Sequence, residues 1–114
     1  MLLVREPDQE TLRETTSRYL AEHAGPPVLR TLRDHHDGFE REYWRNGVQL
    51  GWTHLLVGEV FGGGSVSSRG LVDLALLANE FGAHAAPGPL AVGAVVAGAL
   101  ADAGGPAEVI AGLL

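Results

Sequence analysis

A chain of 114 residues with 8 basic and 14 acidic side chains, net charge −6, suits one domain with a modest core. That balance does not favour nucleic acid or an anionic membrane surface. The absence of cysteine excludes disulfides, cysteine-ligated metals and thiol nucleophiles, and the absence of lysine excludes Schiff-base chemistry and a P-loop lysine.

Met1-Leu2-Leu3-Val4-Arg5-Glu6 turns charged at once and holds no signal-peptide core, so the expected location is cytoplasmic. A first helix is predicted over Asp8–Ala24, with Asp8 accepting the free amides of the first turn and Leu12, Thr16, Tyr19, Leu20 and His23 on one face. Gly25-Pro26-Pro27 ends it. A short helix from Val28 to about Asp34 follows, with Val28, Leu29 and Leu32 inward. Asp37-Gly38-Phe39-Glu40 resembles a capping box opening a third helix, with Tyr43, Trp44 and Val48 on one side. Gly47 weakens that helix, which ends near Leu50.

Gly51–Phe61 reads as an ordered, partly buried connection pinned by Trp52, followed by Gly62–Gly64 as a flexible turn. Each glycine inside a helix would cost roughly 1 kcal/mol against alanine. A fourth helix spans about Ser68–Phe81, with Leu71, Leu74, Ala75, Ala78 and Phe81 on one stripe, Leu77 beside it, and Gly82 as a left-handed cap. A fifth begins at Pro89, runs through Leu90–Ala101 and ends near Gly104. It is apolar all round, but a dozen residues at about 1.5 Å each cannot cross a bilayer core of roughly 30 Å, so it belongs to a core. A last helix starts at Gly105-Pro106. Beyond Phe61 the only charged residues are Arg69, Asp73, Glu80, Asp102 and Glu108, so the second half is largely material for burial. No stretch alternates as a strand would. The fold class is all-α, about six helices in a single domain over residues 1–114.

The polar candidates each have a plainer alternative. His35-His36-Asp37 suggests a metal site, but neighbouring residues point to different helix faces and no second cluster completes a tetrahedral set. Gly62-Gly63-Gly64-Ser65 suggests a phosphate loop but lacks its lysine, and Gly63-Gly64-Ser65-Val66-Ser67 lacks the last glycine of a nucleophile elbow. Glu59 and Glu80 are either raised-pKa bases or acids that cap a helix or pair with an arginine, for which Arg69 is available. His54 and His84 read as structural. Trp44 and Trp52 either pack the core or stack on a flavin or base. No residue is assigned a catalytic role or a metal.

Gly51, Trp52, Leu55, Glu59, Gly62 and Gly63, then Glu80-Phe81-Gly82 and Ala86-Pro87-Gly88-Pro89, form an ordered set over about forty residues. The set resembles the N-terminal helical domain of the acyl-CoA dehydrogenase family. Gly58 stands where that family usually has proline. The resemblance implies a parent enzyme of three parts: this helical domain, a middle β-domain and a C-terminal four-helix bundle. FAD lies between the last two, and the catalytic glutamate belongs to the bundle. The chain corresponds to the first part and is read as ending before the β-domain, so no catalytic base and no flavin contact carries over. FAD is expected of the parent enzyme and not of this chain alone.

What the resemblance does carry over is a wall of the acyl-CoA cavity, on the helix after the proline-rich turn. Ala91, Ala94, Val95 and Gly98 would leave room there for a bulky acyl or steroid-like group, the alternative being tight helix packing. The implied reaction is α,β-dehydrogenation of an acyl-CoA thioester. Implied partners are the β-domain and bundle, or a partner subunit; the all-round apolar Leu90–Ala101 helix, with the helix after it, predicts homo-oligomerisation or self-association. The rival reading is a non-catalytic helical module that caps or regulates a partner.

Overall fold

Six α-helices and one 3-10 turn, with no strand, make up the described residues of the computed structural model, which are 5–64, 67 and 69–114. The helices are α1 (Pro7–His23), α2 (Pro26–Thr31), α3 (Arg41–Val48), α4 (Gly70–Ala83), α5 (Leu90–Asp102) and α6 (Ala107–Leu113), and the 3-10 turn is Glu59–Phe61. The all-α reading therefore holds. Among the described residues no helix is long and apolar enough to cross a membrane. Met1–Val4, the Ser65 hydroxyl and the expected helix start at Ser68 lie outside the described residues.

Helix α1 begins earlier than Asp8. Pro7 takes the first helical position, where a missing N–H costs nothing, and Glu6 is the N-cap. The Gln9 side-chain oxygen accepts the Glu6 amide at 2.9 Å, the returning half of a capping box. Asp8 sits in the first turn, where its charge still favours the helix dipole. Gln9, Leu12, Thr16 and Leu20 are buried; Tyr19 is half-buried, and His23 is exposed with its ring against Tyr19. Helix α2 starts at Pro26, again with prolines in the first turn, and buries none of its own residues: Leu29 is exposed, and Leu32 just past its end is buried. Helix α3 starts at Arg41 behind Glu40, leaving Asp37 in the preceding loop, where it pairs with Arg41 at 3.5 Å.

Trp52 stands where α1, α3 and α4 converge. It is fully buried, and its indole N–H donates to Thr16 Oγ1 at 3.1 Å. Ring centroids surround it at 4.8 Å (Phe81), 5.5 Å (Trp44), 5.7 Å (Tyr19) and 6.4 Å (Tyr43). Gly47, whose presence in α3 looked like a weakness, is the residue the indole lies against: a Cβ there would overlap the ring. The Gly62–Gly64 turn is tied back to this connection by Gly63 N–H to Gly58 O (3.2 Å) and Gly64 N–H to His54 O (3.0 Å).

Helix α4 is rotated relative to the stripe expected of it. Leu74, Leu77 and Phe81 are buried, but Leu71 is 72% exposed and Ala75 and Ala78 also face out. Their place inside is taken by two acids, Asp73 and Glu80. Burying an acid is costly unless it is partnered, and α1, the helix packed most extensively on α4, provides partners. Gln9 Nε2 donates to Asp73 Oδ1 at 2.8 Å, and Arg13 Nη1 to Glu80 Oε1 at 3.1 Å. Arg69, the partner expected for Glu59 or Glu80, binds Glu6 instead at 3.1 Å. The helix also outruns Gly82. Ala86 N–H reaches Phe81 O at 2.9 Å and Ala85 N–H reaches Gly82 O at 3.2 Å, a Schellman closure with Ala85 (φ 49°) in the left-handed place expected of Gly82. A second cluster, Val57, Ala97 and Ile110, joins α5 and α6 to the Trp52 connection.

Two substitutions test the hub. Trp52→Ala should cost about 3–5 kcal/mol in chemical denaturation, the usual loss for a large buried aromatic. A loss below about 1 kcal/mol would place the hub elsewhere. Gly47→Ala sets two effects against each other: helix propensity alone gives a gain of about 1 kcal/mol, whereas overpacking costs about 1–3 kcal/mol. The overlap with the indole predicts net destabilisation, and a rise in the denaturation midpoint would refute it.

Candidate functional site

The helix expected to carry the site is α5, and its placement begins with the turn before it. Tyr43 Oη donates to the Pro87 carbonyl at 2.9 Å. Gly88 adopts φ 119°, a region open to glycine, and the Trp44 ring lies against its Cα, leaving no room for a Cβ. Pro89 is then the N-cap of α5 rather than its first helical residue.

Ala91, Ala94, Val95 and Gly98, expected together on one face, divide between two. Ala94 is 0% exposed and Gly98 is buried, with a Cβ at Gly98 falling 2.7 Å from Leu56 Cβ. These two pack the core. Ala91 and Val95 face outward and are joined there by Val92 and Val96, which the sequence reading left out of the site. Val92, Val95 and Val96 are 69%, 51% and 43% exposed. The four residues line a shallow apolar depression of about 300 Å³. The helix carries no polar side chain before Asp102, so nothing in its sequence marks which side is outer.

Several polar candidates are held in structural roles, whereas Glu59 is exposed and His54 Nδ1 is buried with no side-chain or backbone partner among the described residues. Ser17 Oγ lies 3.1 Å and Glu80 Oε2 3.8 Å from His84, which brings a serine, a histidine and an acid together. Both contacts fall on the same ring nitrogen, Nε2, whereas a nucleophile triad needs the acid on the opposite one. The cluster ties α1 to α4. Glu10 accepts from Arg13 and Arg5, and these bonds hold its carboxyl down at about 2. Arg13 is correspondingly raised above its ordinary value, by Glu10 first and Glu80 second. Asp37 is lowered by the bond from His36 and then by Arg41. The described residues hold no group of three or more His, Asp or Glu side chains able to bind a metal.

Nor do the described residues compose a flavin site. Trp52 is enclosed, and Trp44 packs on Phe39, Trp52 and Phe81. The open cleft of about 550 Å³ between the Trp52 connection and the start of α4 has Glu59 and Arg69 as its charged side chains, and Arg69 is engaged by Glu6. One committed arginine beside a carboxylate is a poor setting for a dinucleotide's pyrophosphate.

Residues 6–108 match the family model of the acyl-CoA dehydrogenase N-terminal domain. Among curated proteins, acyl-CoA dehydrogenase IpdE2 of Mycobacterium tuberculosis is 32% identical over 84 residues, which are 73% of this chain and 26% of that protein. The chain thus spans about a quarter of that relative's length. No solved structure matches.

The Glu10–arginine cluster makes a pH prediction. A carboxyl whose folded value is depressed stabilises the fold above its ordinary value of 4.5 and loses that contribution as pH falls toward about 2. Stability should therefore drop between about pH 5 and pH 2, and Glu10→Gln should flatten the drop. Denaturation midpoints across that range check it, and parallel curves for both proteins would refute it.

Proposed function

Because the chain belongs to the acyl-CoA dehydrogenase family as one of its N-terminal domains, we propose that it contributes the outer face of α5 to the wall of an acyl-CoA cavity. The observation that carries this reading is the exposed, uncharged face of Ala91, Val92, Val95 and Val96, on the helix directly after the proline-rich turn. An apolar face of this kind is unfavourable in water, and small side chains leave space beside the backbone for a bulky apolar group. Val109 and Leu113 on α6 are exposed as well, and the β-domain and bundle, or a partner subunit, would cover them.

The reaction proposed for the assembled enzyme is removal of hydrogen across the Cα–Cβ bond of an acyl-CoA thioester, in the cytoplasm and in an oligomer. FAD is proposed for that assembly alone. The described residues fit neither a flavin site nor a catalytic base, and both are proposed to come from the rest of the assembly. The role of this domain is to bind and orient the acyl group and keep water from it.

The purified 114-residue chain should carry no flavin absorbance and reduce no dye with any acyl-CoA; a yellow, active protein would overturn the division of labour. In the assembled enzyme, Val95→Trp should lower kcat/KM for bulky acyl-CoA at least about tenfold, roughly 1.4 kcal/mol, and leave short acyl-CoA within about twofold. An unchanged acyl-length profile would mean that α5 covers protein instead, and would favour the non-catalytic capping module.

A further inference from the structure

We infer that Tyr43 is a positioning residue for the α5 wall, holding the Pro87 carbonyl so that Ala91 and Val95 stand at a fixed distance from the acyl group. The inference rests on the reading of α5 given above and adds the element that sets its geometry. The turn from α4 to α5 has little hydrogen bonding of its own. Pro87 and Pro89 carry no N–H. Among the described residues, backbone bonds in the turn stop at Ala86 N–H to Phe81 O and resume with Gly93 N–H to Pro89 O. Side chains from α3 bridge that gap: the Tyr43 hydroxyl on Pro87 O at 2.9 Å and the Trp44 ring against Gly88.

Tyr43 is itself held rigidly. Its backbone carbonyl accepts the Tyr19 hydroxyl at 2.7 Å, and the two rings stack with centroids 5.9 Å apart at 18°. Burial, with Tyr19 second, raises its phenol above the ordinary range, so the hydroxyl remains a donor at any physiological pH. A path therefore runs from α1 through Tyr19 and Tyr43 to the first residue that directs α5. Val95 lies about 9 Å along the axis from Pro89 at about 1.5 Å per residue. A tilt of about 6° at the turn moves it by roughly 1 Å, and shifts of that size matter to substrate alignment.

Tyr43→Phe removes the hydroxyl and leaves the ring. In the assembled, flavin-loaded enzyme, KM for bulky acyl-CoA should rise about fivefold or more, with kcat and short-chain KM within about twofold. Amide exchange in the 90–102 segment of the same enzyme should quicken about tenfold while the 7–23 segment is unchanged. A hydrogen bond that only adds stability would instead alter all acyl lengths alike and quicken exchange in both segments. That result, or no change in either readout, overturns the inference. Val95→Trp separates the two readings: if it alters the acyl profile and Tyr43→Phe does not, the role of Tyr43 falls and the wall stands. If neither variant alters it, both fall.

Discussion

The indole of Trp52 has one polar atom and a large apolar surface, and the chain must satisfy both at one point. Its N–H reaches Thr16 on α1, while its faces and edges meet Phe81 of α4 and Trp44 of α3. Aromatic pairs at these separations and angles stabilise beyond their buried area. The arrangement depends on an absence as much as on a presence, since Gly47 lets the ring reach the backbone of α3. Helix α3 is short, and short helices are marginal in isolation. This contact supports it, which explains why a residue unfavourable to helix propensity sits in its last turn.

A second constraint fixes how α1 lies on α4. Gln9 and Ser67 both donate to Asp73 Oδ1, at 2.8 and 2.7 Å, and Arg13 meets Glu80 one helical stretch further along. Apolar contacts between two helices tolerate sliding, but a buried carboxylate that loses its donors is left with an uncompensated charge. The polar pairs therefore choose among the packings that the leucines alone would permit. They also hold Phe81 at the depth where it meets Trp52 edge-on.

The extent to which this was legible in the sequence follows from these two constraints. The helices were legible because apolar spacing and the Gly-Pro stops are local signals. Trp52 was legible as a hub because a large aromatic between a glycine and an apolar run has few other uses. The rotation of α4 was not, because Asp73 and Glu80 are polar by type and became core residues through partners on α1, 64 and 67 positions away in sequence. The ends of α1 and α4 were misplaced for a similar reason. Glu6 with Pro7 substitutes for the cap expected at Asp8, and Ala85 adopts a conformation that glycine takes more readily. For α5, the helix was clear and its orientation was not. With every residue from Leu90 to Ala101 apolar, periodicity has nothing to distinguish, and the stripe drawn through Ala91, Ala94, Val95 and Gly98 straddled the boundary between core and surface.

That ambiguity bears on function. A helix with a polar outer face would be finished by solvent; α5 has an inner face built of residues small enough to let Leu56 approach Gly98, and an outer face of valines and alanine with nothing polar to hydrate. The inner contacts hold the helix axis close to the Trp52 connection, and Tyr43 and Trp44 fix its entry. The α5 surface is held from behind and at its start, and is bare in front. Of the two acids read as a possible base, Glu59 is exposed on the 3-10 turn and Glu80, like Asp73, already holds α4 against α1. Recruiting Glu80 to proton transfer would release its half-buried partner Arg13 and loosen the packing of α4 on α1. In this domain the polar contacts and the exposed apolar face of α5 are therefore separate: the first fix the fold from within, and the second is the surface proposed to meet an acyl group.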